Sequence, residues 1–307
     1  MKLLSILMAL PLWAVETQQI RLLSTTDLHG WITGYDYYAA KQSGRGLAKI
    51  ATLVRQARAE QPASLLIDCG DTIQGSPLEA VHQLAVRAGA TKALDPMMLA
   101  MNALGYDAMA MGNHEFNFGL KNLFAARAHA KFPWLSANTI AAPGSPAFVP
   151  YVIKNVKGVR IAIIGLTTGG IPAWEKPENY TGYHWIDQVE AARERVAEVR
   201  AAGVDAIVLA VHGGLDRDLK TGNVRPGEMP NDNLVYQLAT GLPEVDVILY
   251  GHSHSTNEGT KLGNALIVQA RNWGQSLAQV DLDFEKAASG WKLIDKKSKL
   301  VPVTDST

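Results

Sequence analysis

Short apolar runs recur along this chain, and five of them end in a block rich in Gly, Asp, Asn or His rather than in an ordinary turn. The blocks are Asp27-Leu28-His29, Asp68-Cys69-Gly70-Asp71-Thr72, Gly112-Asn113-His114-Glu115, His212-Gly213-Gly214 and Gly251-His252-Ser253-His254. Between them lie longer stretches of helical periodicity. That alternation predicts a layered α/β domain in which strand ends meet along one edge and bring distant residues together.

The individual elements read as follows. Strands are expected at Ile20 to Thr25, Ser64 to Ile67, Ala108 to Met111, Phe148 to Lys154, Val159 to Gly165, Ala206 to Val211 and Val245 to Tyr250. Helices are expected at Gly46 to Glu60, at Met97 to Leu104 behind an Asp95-Pro96 start, at Asp187 to Ala201 and at Asn231 to Thr240. Ala265 to Ala270, Leu277 to Phe284 and Trp291 to Ile294 read as an antiparallel meander, and Thr221 to Pro230 as a surface loop near the site.

With 307 residues, 47% of them hydrophobic, the chain can bury a large core, and its formal charge of +0 gives no bulk attraction to nucleic acid or membrane. A single cysteine, Cys69, allows no internal disulfide and reads as a small buried residue. Met1-Lys2 precedes a run from Leu3 to Ala14, broken only by Ser5 and Pro11, and then Glu16-Thr17-Gln18-Gln19. That run has the length of an export-signal core and is too short to span a bilayer. The expected division is a signal peptide at 1–15 and one catalytic domain at 16–307, in the periplasm or secreted, with no membrane anchor. Leu12 is larger than the residue usual two places before a cleavage at Ala14, so a cytoplasmic location stays open.

Five of the eight histidines fall within these blocks. Imidazole, carboxylate and amide oxygen together form the ligand set of a divalent first-row metal centre. Two adjacent cations need a shared anion, and Asp71 is the candidate bridge, its two oxygens reaching both. Asp27, His29 and His254 would complete one site, and Asn113, His212 and His252 the other. Asp-x-His and His-x-His read as extended backbone, where residues two apart point the same way. The cation pair would make hydroxide from a bridging water near neutral pH and polarise the phosphoryl oxygen under in-line attack. His114 is the candidate proton donor to the leaving oxygen, and Asn113 and His114 are also placed against the substrate. Glu115, Gly70 and Gly112 read as structural. Arg45 and Lys49 flank a Gly-rich helix start that could hold phosphate.

The order of these motifs resembles the calcineurin-like metallophosphoesterases, in particular the catalytic domain of their 5′-nucleotidase branch. Asp36-Tyr37-Tyr38, Gly70-Asp71-Thr72-Ile73-Gln74-Gly75-Ser76-Pro77-Leu78 and Gly112-Asn113-His114-Glu115-Phe116-Asn117-Phe118-Gly119 are similar to the 2′,3′-cyclic-nucleotide 2′-phosphodiesterase/3′-nucleotidases. The resemblance spans Ile20 to Ile294. It implies a four-layer α/β/β/α sandwich, two divalent ions of the zinc, manganese or cobalt kind, and hydrolysis of a small phosphate ester. The implied substrate is a nucleotide, as a 2′,3′-cyclic diester or a 3′- or 5′-monoester, and no nucleic-acid polymer is expected as partner. A thiosulfohydrolase on the same fold and a metal-dependent binding protein without turnover are the alternatives.

Two departures from the pattern stand out. Many 5′-nucleotidases carry Asp three residues after the catalytic His, and this chain has Asn117. The resembling enzymes also continue into a second domain that clamps the base with aromatic rings, whereas this sequence reads as the catalytic domain alone, either as a fragment or as a chain that meets the base, if at all, with its own surface. Trp31 and Trp273 are then the first candidates for contact with the base, ahead of Tyr35, Tyr37, Tyr38, Trp174 and Trp185.

Overall fold

A computed structural model describes residues 15–307, apart from Ser289 and Asp305. The expected export signal therefore lies outside the described residues, except for its last position. Twelve strands form two six-stranded sheets. In chain order they are β1 (Thr17–Thr25), β2 (Ser64–Asp68), β3 (Ala108–Ala110), β4 (Trp134–Leu135), β5 (Tyr151–Val156) and β6 (Val159–Thr167). The rest are β7 (Ala206–His212), β8 (Val247–Tyr250), β9 (Asn257–Leu262), β10 (Ala265–Gln269), β11 (Ser276–Ala287) and β12 (Gly290–Pro302). The first sheet runs β12-β11-β1-β2-β3-β4 and the second β9-β10-β8-β7-β6-β5.

Three separate cores define four layers. Ile20 and Leu22 of β1 meet Ile161, Ile163 and Val208 of the second sheet in a dry layer between the sheets. Leu23, one residue out of phase, faces the other way into a core shared with Ile50, Val54 and Met101. On the far side Ala162, Ile207 and Ile248 pack under Ala192, Val196 and Leu238. Strands covered on both faces must be apolar on both, which is why β6 and β7 read as nearly continuous hydrophobic runs. The fold is the α/β/β/α sandwich.

Helix boundaries follow local chemistry. The helix Leu47–Glu60 buries Leu47, Ile50, Leu53, Val54 and Ala57, one stripe at helical spacing. Asp95 caps Pro96–Leu104 by accepting from the Met98 amide at 2.9 Å, and Asp187 caps Gln188–Ala201 in the same way.

The structure corrects several sequence expectations. Pro77–Ala88 and Leu120–His129 are helices that periodicity had not marked. The first carried a local signal: Ser76 accepts from the Glu79 amide and Pro77 fills the first turn. The helix expected from Asn231 begins only at Val235, because Asn231 is left-handed (φ 60°) and the Asp232 side chain is drawn to the site. The meander is also divided. β10 lies in the second sheet, parallel to β8, while β11 pairs antiparallel with β1 in the first and forms a hairpin with β12 at that sheet's edge.

Glu79 on the Pro77–Ala88 helix is fully buried, and Gln83 donates to its Oε1 at 2.7 Å. Burial, and then the charge of Asp95, push its carboxyl up to about 9. The stability this protonated acid contributes is fully present below the ordinary glutamate range and is lost as pH rises toward about 9. Glu79→Gln keeps the shape and cannot ionise. Its melting temperature is expected to gain on the parent's as pH rises from about 5 to about 9; a difference that stays constant would contradict this.

Candidate metal centre

Five parallel strands deliver the site from their carboxyl ends, three from the first sheet and two from the second. β1 leads to Asp27 and His29, β2 to Asp71, β3 to Asn113 and His114, β7 to His212, and β8 to His252 and His254. Backbone bonds tie the first two loops together: the Asp27 amide donates to the Gly70 carbonyl at 2.9 Å, and that of His29 to the Asp71 carbonyl at 2.9 Å.

The backbone at these residues is not extended. Asp27 (φ 50°), His29 (φ 48°), Asp71 (φ 60°), His252 (φ 70°) and His254 (φ 51°) are all left-handed, a conformation that costs a non-glycine residue about 1–2 kcal/mol. The shared aim of Asp27 and His29 therefore comes from coiled turns held by cross-loop bonds rather than from a pleat. Such strain persists where the surroundings over-determine it, as at binding sites.

The side chains form three overlapping groups in which the ligand atoms lie within 4.8 Å of one another: Asp27, His29 and His254; His29, Asp71 and His114; Asp71, His212 and His252. Asp71 is buried between them. Its Oδ1 accepts from the His114 amide at 2.8 Å. Its Oδ2 stands 3.0 Å from His212 Nε2, 3.8 Å from His29 Nε2 and 3.9 Å from His114 Nε2. Oδ2 thus faces His29 on one side and His212 on the other. Asn113 Oδ1 lies 3.0 Å from the same His212 nitrogen, and His254 Nε2 is 3.0 Å from His29 Nε2 and 3.4 Å from Asp27 Oδ1.

The donor set fits a cation. His212 gives its Nδ1 proton to the Cys69 carbonyl at 2.7 Å, so its Nε2 faces the oxygens of Asp71 and Asn113. Two oxygens and one ring nitrogen converge there, a place that a proton on Nε2 or a metal cation satisfies. Burial works against a charged His212, yet the charge and hydrogen bond of Asp71 override it and lift the ring to about 10. The same pairing holds Asp71 well below the usual carboxylate range despite its burial. His29 is fixed by its Nδ1 on the Gln74 carbonyl at 2.9 Å, and His252 by its Nε2 on Asp232 at 3.0 Å, which leaves Nδ1 of His252 for the cluster. Orienting partners of this kind set both ring tautomer and basicity.

Glu115 does more than bond locally. Its carboxylate accepts from the amides of Gly112 (2.7 Å), Asp71 (3.0 Å) and Thr72 (2.6 Å), clamping the turn that carries Asp71 against the β3 loop. That approach requires glycine: a Cβ on Gly112 would meet Asp71 Oδ1 at 2.2 Å, and one on Gly70 would meet the Gly112 amide at 2.6 Å. Cys69 is buried, and burial pushes its thiol up, which removes it as a nucleophile.

A cleft of about 410 Å³ opens beside His29 and His254, walled by Trp31, Trp273, Arg45 and Tyr38. The Arg45 guanidinium lies 3.7 Å over the Trp31 ring and pairs with Asp36, so it does not serve a phosphate at the helix start. Lys49 donates to the Thr304 carbonyl instead. Trp31 is buried with Arg45 over one face, whereas Trp273 is partly open and 6.1 Å from the His254 ring. A larger cleft of about 510 Å³, between Leu215, Arg225 and Thr260, contains none of the clustered ligands. Sequence reading missed Asp232, an isolated acid in a polar loop, and Glu175, which meets Asn117. It ranked Trp174 low, yet this exposed ring stands 5.3 Å from that of His252.

A family model described as calcineurin-like phosphoesterase matches residues 20–256. The chain belongs to that family. The chain is 33% identical over 315 residues to the 2′,3′-cyclic-nucleotide 2′-phosphodiesterase/3′-nucleotidase of Salmonella typhimurium, covering 94% of this chain and 47% of the relative. It is also 33% identical over 315 residues to the trifunctional nucleotide phosphoesterase protein YfkN of Bacillus subtilis, covering 94% of this chain and 21% of the relative. The chain thus spans about half or less of the length of these relatives. A crystal structure of calcineurin-like phosphoesterase YfkN superposes with a TM-score of 0.82 at 31% identity, covering 95% of this chain and 93% of that one. Thermus thermophilus sulfate thiohydrolase SoxB shares the fold alone, with a TM-score of 0.72 at 20% identity, covering 96% and 58%. The family implies divalent metal ions, and the chain has candidate His and Asp clusters for them. Among the described residues no helix is long and apolar enough to cross a membrane.

Proposed function

We propose that this chain hydrolyses phosphate esters, nucleotides in particular, at a centre of two divalent ions. Asp27, His29, Asp71 and His254 hold one ion; Asp71, Asn113, His212 and His252 hold the other. The observation that carries this reading is the position of Asp71 Oδ2, facing His29 on one side and His212 on the other. When bound, ions of the zinc, manganese or cobalt kind supply Lewis acidity and a hydroxide nucleophile near neutral pH. The nucleotide part of the proposal is supported by the relatives, named as nucleotide phosphodiesterases and phosphoesterases.

The chain's own groups do the rest. Asn113 and His114 contact the transferring phosphoryl group, and His114, 35% exposed at its side chain, gives the Nε2 proton to the leaving oxygen. The cleft beside His254 receives the base, with Trp273 as the stacking ring and Trp31 as the wall behind Arg45. Residues 16–307 act as the catalytic domain, and residues 1–15 direct it to the periplasm or outside the cell.

Metal-stripped protein supplied with Mn²⁺ or Zn²⁺ is expected to cleave 2′,3′-cyclic, 3′- or 5′-nucleotides in preference to aryl phosphates. Trp273→Ala is expected to raise KM for the preferred nucleotide about tenfold, the size of one lost base stack, and to leave KM for p-nitrophenyl phosphate unchanged. Metal-loaded protein with no turnover on any ester would contradict the proposal, and equal KM changes for both substrates would remove Trp273 from base recognition.

A further inference from the structure

We infer that Glu175 is a positioning residue for His114, acting through the Asn117 amide and supplying the carboxylate charge that the Asn117 position lacks. This rests on the proposed role of His114 and adds a residue from a separate part of the chain. His114 Nδ1 lies within hydrogen-bond distance of Asn117 Oδ1, and Asn117 Nδ2 donates to Glu175 Oε2. The other carboxylate oxygen of Glu175 accepts from Asn179 Nδ2 at 2.8 Å and from the Lys176 amide at 2.7 Å, so the acid cannot swing away. Asn179 Nδ2 also donates to the Asn117 carbonyl at 3.1 Å, holding the Asn117 backbone from the same side. Glu175 is delivered by the short helix Ile171–Trp174, whose last residue places its ring near His252.

The chain of donors has one consistent direction. A carboxylate only accepts, so Asn117 must turn its NH₂ toward Glu175 and its oxygen toward His114. An oxygen only accepts, so His114 must carry a proton on Nδ1. The Nδ1 proton therefore stays within the relay, and Nε2, the nitrogen facing Asp71 Oδ2 across 3.9 Å, is the one that exchanges a proton with the leaving oxygen. The negative charge on Glu175 polarises the amide and makes Asn117 Oδ1 a stronger acceptor. Without Glu175 the amide can rotate by half a turn and present NH₂ to the imidazole, which reverses the tautomer.

Glu175→Gln is expected to lower kcat on the preferred nucleotide about 10- to 100-fold, the usual cost of losing an orienting partner, with KM and ion content unchanged. The loss should be smaller on a p-nitrophenyl ester, whose leaving group needs little protonation. The deciding variant is Asn117→Asp combined with Glu175→Gln. It returns the carboxylate to direct contact with His114 and leaves an amide behind it, so kcat should recover to within about threefold of the parent, which a packing role for Glu175 cannot explain. Circular dichroism and melting temperature establish that each variant is folded. If His114→Ala is slow while Glu175→Gln matches the parent, or if the double variant stays as slow as Glu175→Gln, the relay is wrong and the His114 reading stands. If His114→Ala matches the parent, both fall together.

Discussion

Asp71→Asn is expected to abolish uptake of the ion pair and to lower phosphoesterase activity by about a thousandfold or more, several kcal/mol of lost charge stabilisation. The fold should survive the change. Asp71 Oδ1 accepts from the His114 amide, a bond that an asparagine oxygen can still make, and the Asp71 amide stays clamped by Glu115. What the variant loses is the negative Oδ2 between His29 and His212. Two cations a few ångströms apart repel strongly, and a neutral amide cannot offset them. Elemental analysis of the folded variant checks the ion content, and steady-state rates check the activity. A variant with both ions and the parent's rate would refute the bridging role.

His114→Ala has a different signature. The side chain stands at the edge of the clusters, and its contribution to holding Asp71 is made by the backbone amide, which alanine retains. Ion content should therefore be unchanged while kcat falls by about a hundredfold or more, the scale of general acid catalysis. The fall should be steeper for nucleotides than for aryl esters, because an alkoxide leaves only with a proton. Loss of ions together with activity would make His114 a ligand, and an unchanged rate would make it a bystander.

The site was largely legible in the sequence because its chemistry is local to each block. Gly112-Asn113-His114 and Gly251-His252-Ser253-His254 each follow an apolar run, and a parallel strand carries its last residues to a common edge. Asp95 and Asp187 announced their helices because an N-cap is a bond between neighbours. What was not legible depended on contacts across the chain. Nothing near Asp232 signals that it holds His252, and Glu175 reaches Asn117 over 58 positions. Strand partners posed the same difficulty: β10 and β11 are close in sequence but lie in different sheets. The left-handed turns at Asp27 and His29 were misread because residues two apart share an aim in a pleat as well, and only tertiary bonds select the coiled form.

Anomalous diffraction from crystals grown with Mn²⁺ or Zn²⁺ would show whether Asp71 Oδ2 lies between two cations. Two peaks about 3.5–4 Å apart are predicted, the usual spacing of paired catalytic ions. Asp27, His29 and His254 should surround one peak, Asn113, His212 and His252 the other, and Asp71 Oδ2 should touch both. A single peak, or two peaks that Asp71 does not bridge, would contradict that position.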